Sequence, residues 1–311
     1  MRALVLSNMQ PDVAHPERGS FVRDQVAALR RLDGLEIELY EFPPGPRSLA
    51  RAVPDLRRRY SERFDIVHAH FGLTAWPALA VRAHARALTL HGTDLRHPRT
   101  RLLTLAALPS IDLLATVSPE LSAELPARSA QRAQVLPCGV DLDRFRPLER
   151  TQARRQLGLA PDGRYVLFAA DPARPEKRFD RAQQLLDASS TAELLTLGGV
   201  EPERVPLLVN AANAVVVPSE REGFGLAVLE ALACDVPVLA TPVGVHQEAL
   251  TGVAGTLCAP FEQECWRAAL AVHLTDADPR VAGRASAERY SAMRMAERVA
   301  AAWRTARGRA G

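Results

Sequence analysis

Two glutamates, Glu222 and Glu230, frame a glycine-rich turn in the stretch PSEREGFGLAVLEALACDVPVLATPVG, residues 218–244. A β-branched run, Ala214–Val217, leads into Pro218 and Ser219 and then Glu222, Gly223, Phe224 and Gly225. From Leu226 the apolar spacing turns helical, and a second apolar run begins at Val236. Gly223 and Gly225 let the backbone approach a ligand closely, and the first turn of a helix offers unpaired N–H groups. Together they make a ready anion site for a diphosphate. Glu230 would stand about two turns up that helix. Carboxylates accept hydrogen bonds from hydroxyls, so the two glutamates could hold two different polyols, such as a sugar and a ribose. In isolation they would be read as a helix N-terminal acid and a solvated one; the strand–loop–helix setting favours the site.

Further candidates lie upstream. In DPARPEKRFDRA, residues 171–182, Arg174 and Lys177 sit on a proline-punctuated loop between an apolar run and a helical pattern. Two cations there would neutralise a diphosphate and stabilise its charge as it leaves. Lys177 is the only lysine beside 38 arginines, and the two side chains are not interchangeable at a crowded phosphate site. A solvated loop charge is the plain alternative. In ALTLHGTDL, residues 87–95, His91 ends a strand pattern with Gly92 leaving space beside it; a lone strand-end histidine is as a rule structural. Asp94 is suited either to bind acceptor hydroxyls or to cap the following segment. Gly19, in ERGSFV, stands where a loop enters a helix.

These residues need a scaffold of buried strands. Short apolar runs of four to six residues with little alternation recur at Ala3–Leu6, Glu36–Tyr40, Ile66–His70, Ala87–Leu90, Leu113–Val117 and Gln134–Leu136. The second half repeats them at Tyr165–Ala169, Glu193–Leu197, Ala214–Val217 and Val236–Ala240. Such runs suit strands covered on both faces of a parallel sheet, with Phe21–Leu32 and Phe179–Leu186 among the crossover helices. The Pro/Gly/Asp-rich segment PCGVDLDRFRPLER reads as a loop between two sheets, placing a domain boundary near 150. A first domain over 1–150, a second over 151–290 and a terminal helix within 291–311, free to pack back on the first, are expected. Two doubly wound α/β domains commonly bind ligands at the strands' carboxyl ends.

The chain has 311 residues, 47% hydrophobic and 24% charged, which excludes disorder and coiled coil. No apolar stretch is long enough to cross a membrane, and the N-terminus has too short an apolar run for a signal core, so a cytoplasmic protein is expected. The four cysteines match no metal knuckle and read as small buried thiols. The net charge of +3 is uneven: residues 1–150 carry 21 arginines against 17 acids. Arg47, Arg51, Arg57, Arg58, Arg59 and Arg63 form either a solvated helix face or a surface for anionic headgroups or a phosphorylated substrate. Nucleic acid is not expected as a partner.

The motif Ser219, Glu222–Gly225, Leu229–Glu230–Ala231, Pro237–Val238 resembles the donor-site signature of glycosyltransferase family 4, the retaining GT-B enzymes also called glycosyl transferases group 1. The resemblance covers nearly the whole chain. It implies an α/β GT-B fold, two Rossmann-like doubly wound domains facing across a cleft. It implies that Glu222 contacts hydroxyls of the transferred sugar and Glu230 the ribose of the nucleotide. Ser219, Gly223, Phe224, Gly225 and Leu226 would complete the donor site. Lys177 matches the family's Pro-Glu-Lys lysine, while Asp171-Pro172 replaces the family's Gly-Arg, leaving Arg174 as the substitute cation. His91 in an intact His-Gly-Thr-Asp would line the cleft near the sugar, with Asp94 toward the acceptor and Gly19 letting the first domain close over the donor phosphates.

DIVHAHFG, with His68 and His70, and PCGVDLDRFRP, with Cys138 where Asn is usual, resemble family segments that we read as architectural. Asn213 replaces a common Asp, and the stretch between Gly198 and Val205 is short. The implied reaction moves a sugar from a nucleotide-diphospho-sugar, as co-substrate, to a saccharide or lipid-linked acceptor, with no metal and no further cofactor. The expected setting is cell-envelope synthesis, in the cytoplasm and peripherally at the inner membrane face. The competing readings are a catalytically degenerate binding or scaffold protein and, less well matched by the Glu222/Glu230 loop, a nucleotide-sugar epimerase.

Overall fold

The computed structural model describes residues 1–186 and 192–310; residue 311, the end of the expected terminal segment, lies outside them. Strands β1 (Arg2–Ser7), β2 (Glu36–Glu41), β3 (Phe64–His70), β4 (Ala83–Leu90), β5 (Leu113–Thr116) and β6 (Gln134–Val135) form one parallel sheet in the order β2-β1-β3-β4-β5-β6. Strands β7 (Arg164–Phe168), β8 (Ala192–Thr196), β9 (Ala214–Val217), β10 (Val238–Ala240) and β11 (Leu257–Cys258) form the other, in the order β11-β10-β9-β7-β8. Both are doubly wound Rossmann-like α/β units. Central strands lack polar alternation because both faces are covered: Ala3 to Leu6 and Ala214 to Val216 have no exposed surface. The two-residue edge strand β11, bounded by polar turns, is too short to leave a sequence signal.

The chain divides into two compact units. The first holds residues 1–12, 18–139 and 292–311; the second holds 13–17 and 140–291. The boundary expected near 150 therefore lies about ten residues earlier. Residues 140–148 are bound into the second unit: the Val140 N–H donates to Tyr290 O (2.8 Å) and Leu148 N–H to Asn210 Oδ1 (2.8 Å). Arg284 also donates to the Leu142 and Phe145 carbonyls. Their Pro and Asp content reads as a linker, but their backbone polar groups are satisfied inside one unit.

The helix Ala292–Ala310 belongs to the first unit's core. Met295, Val299 and Trp303 pack with Val26 and Leu29 of the helix Ser20–Arg30 and with Ala3, Ile66 and Ala87 of the sheet. Met295 lies in this core, whereas Met293 is only partly buried. The second core gathers Val166, Phe168, Val216 and Leu239 around Trp266. Asn213, noted as a departure from Asp, satisfies a buried junction: its Oδ1 accepts from Arg154 and the Tyr165 N–H, while its Nδ2 donates to the His273 and Asp276 carbonyls. A carboxylate would offer no donor there. All four cysteines are free; the expectation of buried thiols is met by Cys234, only in part by the half-buried Cys138 and Cys258, and fails for Cys265, which is exposed on its helix.

Candidate active site

In the second unit, β9 ends at Val217 and the chain turns through Pro218 into Ser219, which is 1% exposed. The Lys177 ammonium donates to both Glu222 carboxylate oxygens, at 2.7 and 2.6 Å, and the Ser219 hydroxyl donates to Oε1 at 2.7 Å. The Lys177 and Glu222 side chains are 12% and 7% exposed. Burial pushes the Glu222 carboxyl up, but the Lys177 charge, the nearby His246 and these hydrogen bonds outweigh it, holding the group below the usual carboxylate range and ionised. The loops carrying the pair are stitched together, since the Glu220 N–H donates to Glu176 O (2.9 Å) and Arg181 donates to Pro218 O (3.0 Å).

Gly225 caps the helix Leu226–Ala233 in a left-handed conformation, φ 102°. A Cβ there would lie 2.5 Å from His246 Nε2, so only glycine fits both the dihedral and the space. Phe224 is buried edge-on to Tyr290, and its carbonyl accepts from the Val245 N–H. Gly223 and Leu226 are half-buried at the mouth of the turn, and Glu230 is half-buried on the helix beyond. The first turn of this helix lies in the same unit as the buried Lys177–Glu222 pair.

Arg174 stands apart from that cluster. Its guanidinium pairs with Glu176 at 2.7 Å and its side chain is 54% exposed, because a two-residue step along the loop turns it to its neighbour and solvent. Of the two expected cations, Lys177 is the one that meets Glu222. Two Asp-x-Asp spacings are accounted for locally. Asp141 accepts from the Asp143 and Arg144 N–H groups, and Asp278 pairs with Arg150 and Arg280. Among the described residues, no three His, Cys, Asp or Glu side chains converge to hold a metal ion.

In the first unit, His91 follows β4. Its ring meets His70, at the end of β3, through an Nδ1···Nε2 contact of 3.0 Å, and lies against Phe21 and Phe71 with centroids 4.9 and 4.6 Å away. Burial pushes His91 down to about 3, so the imidazole is neutral. Asp94 does not present an open oxygen to an acceptor: it is 4% exposed, and its two oxygens accept from the Gly72 and His91 N–H groups at 2.7 Å each. Nor does it cap the following segment: Gly92 is the residue before the helix Thr93–Arg96, and Asp94 instead ties the turn after His91 to Gly72 through these two N–H groups. Gly19, φ 71°, begins the helix Ser20–Arg30, and a Cβ on it would lie 2.4 Å from Met9 O.

Two family profiles match the chain: Glycosyltransferase Family 4 over residues 1–144 and Glycosyl transferases group 1 over residues 151–289. A D-inositol 3-phosphate glycosyltransferase of Actinosynnema mirum is 31% identical, over 85% of this chain and 76% of that protein. The chain belongs to glycosyltransferase family 4. A further relative, named for teichuronic acid biosynthesis, is the Bacillus subtilis glycosyltransferase TuaC, 29% identical over 64% of this chain and 58% of that one. Among solved structures the fold is that of the sucrose-phosphate synthase from Thermosynechococcus elongatus (TM-score 0.72, 20% identity, 98% of both chains). Anabaena HepE, solved with UDP-glucose, also has a TM-score of 0.72, at 16% identity over 98% of this chain and 100% of that one. The chain is thus a GT-B glycosyltransferase.

Three residues that touch the candidate site were not legible in the sequence. His246 lies against Gly225, Thr241 donates its hydroxyl to Ser219 O (2.5 Å), and Arg181 pins Pro218. Each acts through the backbone of the motif. The one available cue was their position just beyond the adjoining strand or loop.

Proposed function

We propose that this glycosyltransferase moves a sugar from a nucleotide-diphospho-sugar to an acceptor hydroxyl with retention at the anomeric carbon. The observation that carries the reading is the Lys177–Glu222–Ser219 cluster at the glycine-capped turn before Leu226. The arriving diphosphate competes with Glu222 for the Lys177 ammonium, while hydroxyls of the transferred sugar replace Lys177 on the carboxylate. Charge growing on the departing phosphate is met by Lys177 and by the N–H groups of the first helical turn. Glu230 takes the ribose, Gly19 admits the donor phosphates and His91 faces the sugar. The acceptor proton passes to the leaving phosphate, and no metal or further cofactor takes part.

The acceptor in this proposal is a saccharide or lipid-linked precursor in cell-envelope polysaccharide or glycolipid synthesis, a reading to which the name of the Bacillus subtilis relative lends weight. Arg47, Arg51, Arg57, Arg58 and Arg59 are exposed on the helix Pro46–Arg59, a charge pattern suited to anionic headgroups at the inner membrane face. Among the described residues no helix is long and apolar enough to cross a membrane. A second reading, a non-turning donor-binding protein, draws on Asp171-Pro172 and on the outward-turned Arg174.

The test is turnover of a panel of nucleotide sugars, with and without EDTA. Release of nucleoside diphosphate, unchanged by chelation and giving product with the donor's anomeric configuration, is expected. Tight binding with no turnover would favour the non-turning protein, interconverted free donors an epimerase.

A further inference from the structure

The second nitrogen of His70 points to a role for this residue that the motif did not suggest. His70 Nδ1 and His91 Nε2 share one proton across 3.0 Å, and the rings are nearly parallel, 25° apart. Two neutral arrangements satisfy the contact. In one, His91 donates from Nε2, and His70 must carry its own proton on Nε2. In the other, His70 donates from Nδ1, and its Nε2 is a bare lone pair. Among the described residues, His70 Nε2 is buried with no hydrogen-bond partner. An orphaned N–H in an apolar interior is the rarer and costlier defect, an under-used acceptor the milder one. The second arrangement is therefore favoured, and it leaves the His91 proton on Nδ1. Among the described residues, His91 Nδ1 has no hydrogen-bond partner, and the residue is partly exposed.

We propose that His70 is a positioning residue that fixes His91 as the Nδ1–H tautomer, so that His91 meets its ligand as a hydrogen-bond donor and not as a base. Parallel pairing brings the two rings together: His70 lies opposite Thr89, two residues before His91. The rest of the surroundings hold the ring still. Phe71, directly after His70, adopts φ 70° and ψ 141°, a backbone state costly for a side chain of its size, and its ring lies on the His91 imidazole. Asp94 holds the His91 N–H. Below the pair, His68 takes part through Thr89, Nε2 to Oγ1 at 2.8 Å, and edges onto Trp303. Strain and buried polar contacts of this kind persist where they orient a working group.

The inference rests on the reading that His91 faces the transferred sugar, and the experiment separates the two. Long-range 15N–1H NMR of the histidine rings in the full-length protein, with His91 assigned by the loss of its signals in His91→Asn, reports the tautomer directly. The wild type is expected to carry the His91 proton on Nδ1, the opposite of a free imidazole in water. In His70→Asn the side-chain amide replaces the Nδ1 donor, so the tautomer and kcat are expected to stay near wild type. In His70→Leu the donor is gone: His91 is expected to revert to Nε2–H and kcat to fall about tenfold, one well-placed hydrogen bond, with donor KM changing less. A wild-type proton on Nε2, or an unchanged His91 tautomer in His70→Leu, overturns the proposal. A tautomer that switches in His70→Leu with no change in rate upholds the positioning role and refutes the placement of His91 at the sugar.

Discussion

Removing the Lys177 ammonium is the most informative single perturbation. Lys177→Met leaves Glu222 buried, with the Ser219 hydroxyl still donating but the paired ammonium removed. Because both side chains are nearly enclosed, solvent cannot compensate, and breaking such a pair from one side costs about 3–5 kcal/mol at neutral pH. The pH dependence gives the sharper signature. In the native protein the Glu222 carboxyl sits below its usual range. It therefore contributes stability that is present above the unfolded-state pKa and is lost as pH falls through the folded one, below about pH 4. Without Lys177, burial is left as the leading influence and raises the group. The variant then loses stability as pH rises from about 5 to 7, a slope of opposite sign. Urea unfolding at several pH values, followed by far-UV circular dichroism, measures both slopes. Lys177→Met/Glu222→Gln removes the buried charge altogether and should recover most of the stability while sugar transfer stays at least a hundredfold down. A Lys177→Met protein that loses under about 1 kcal/mol, keeps the native slope and transfers sugar normally would refute the reasoning.

Three further outcomes follow from individual contacts. Gly225→Ala must place a methyl against the His246 ring in a left-handed backbone; thermal unfolding should show a loss of about 1–3 kcal/mol, with His246→Ala relieving only the steric part. Asp94→Asn keeps an acceptor for one of the two N–H groups and opposes the other with an amide donor, for a loss of about 1–3 kcal/mol in chemical denaturation. Arg174→Ala, at an exposed ion pair, should move stability by less than about 0.5 kcal/mol and leave transfer within a few-fold. A hundredfold loss of rate there would show that Arg174 swings onto the diphosphate.

Periodicity alone reveals this fold because parallel strands covered on both faces leave an unmistakable apolar record; Ala3–Leu6 and Ala214–Val217 are plain cases. The glycine turn at 223–225 was likewise legible, since only glycine permits the Gly225 conformation. Partnerships between distant residues were not. Lys177 and Glu222 carry separate expected roles, phosphate and sugar, and nothing in their 45-residue separation announces that they pair with each other. Asp94 offered two equally good uses, acceptor contact and a cap, and its spacing announces neither of the Gly72 and His91 N–H groups that occupy its oxygens. Residues 140–148 have a linker's composition but a domain's hydrogen bonding, a distinction carried by partners such as Asn210 and Tyr290. Cys265 escapes burial because its helix turns that position outward, which composition cannot register.

The helix Ala292–Ala310 has a consequence for how the chain is made. Its Met295, Val299 and Trp303 fill a core otherwise built from residues before 140. During synthesis the first sheet must therefore wait, with Val26, Leu29 and Ile66 uncovered, while some 150 residues of an independent unit emerge and collapse. The earlier-translated of these two units is the later to complete its core, and until the ribosome delivers that helix it is a natural client for chaperones.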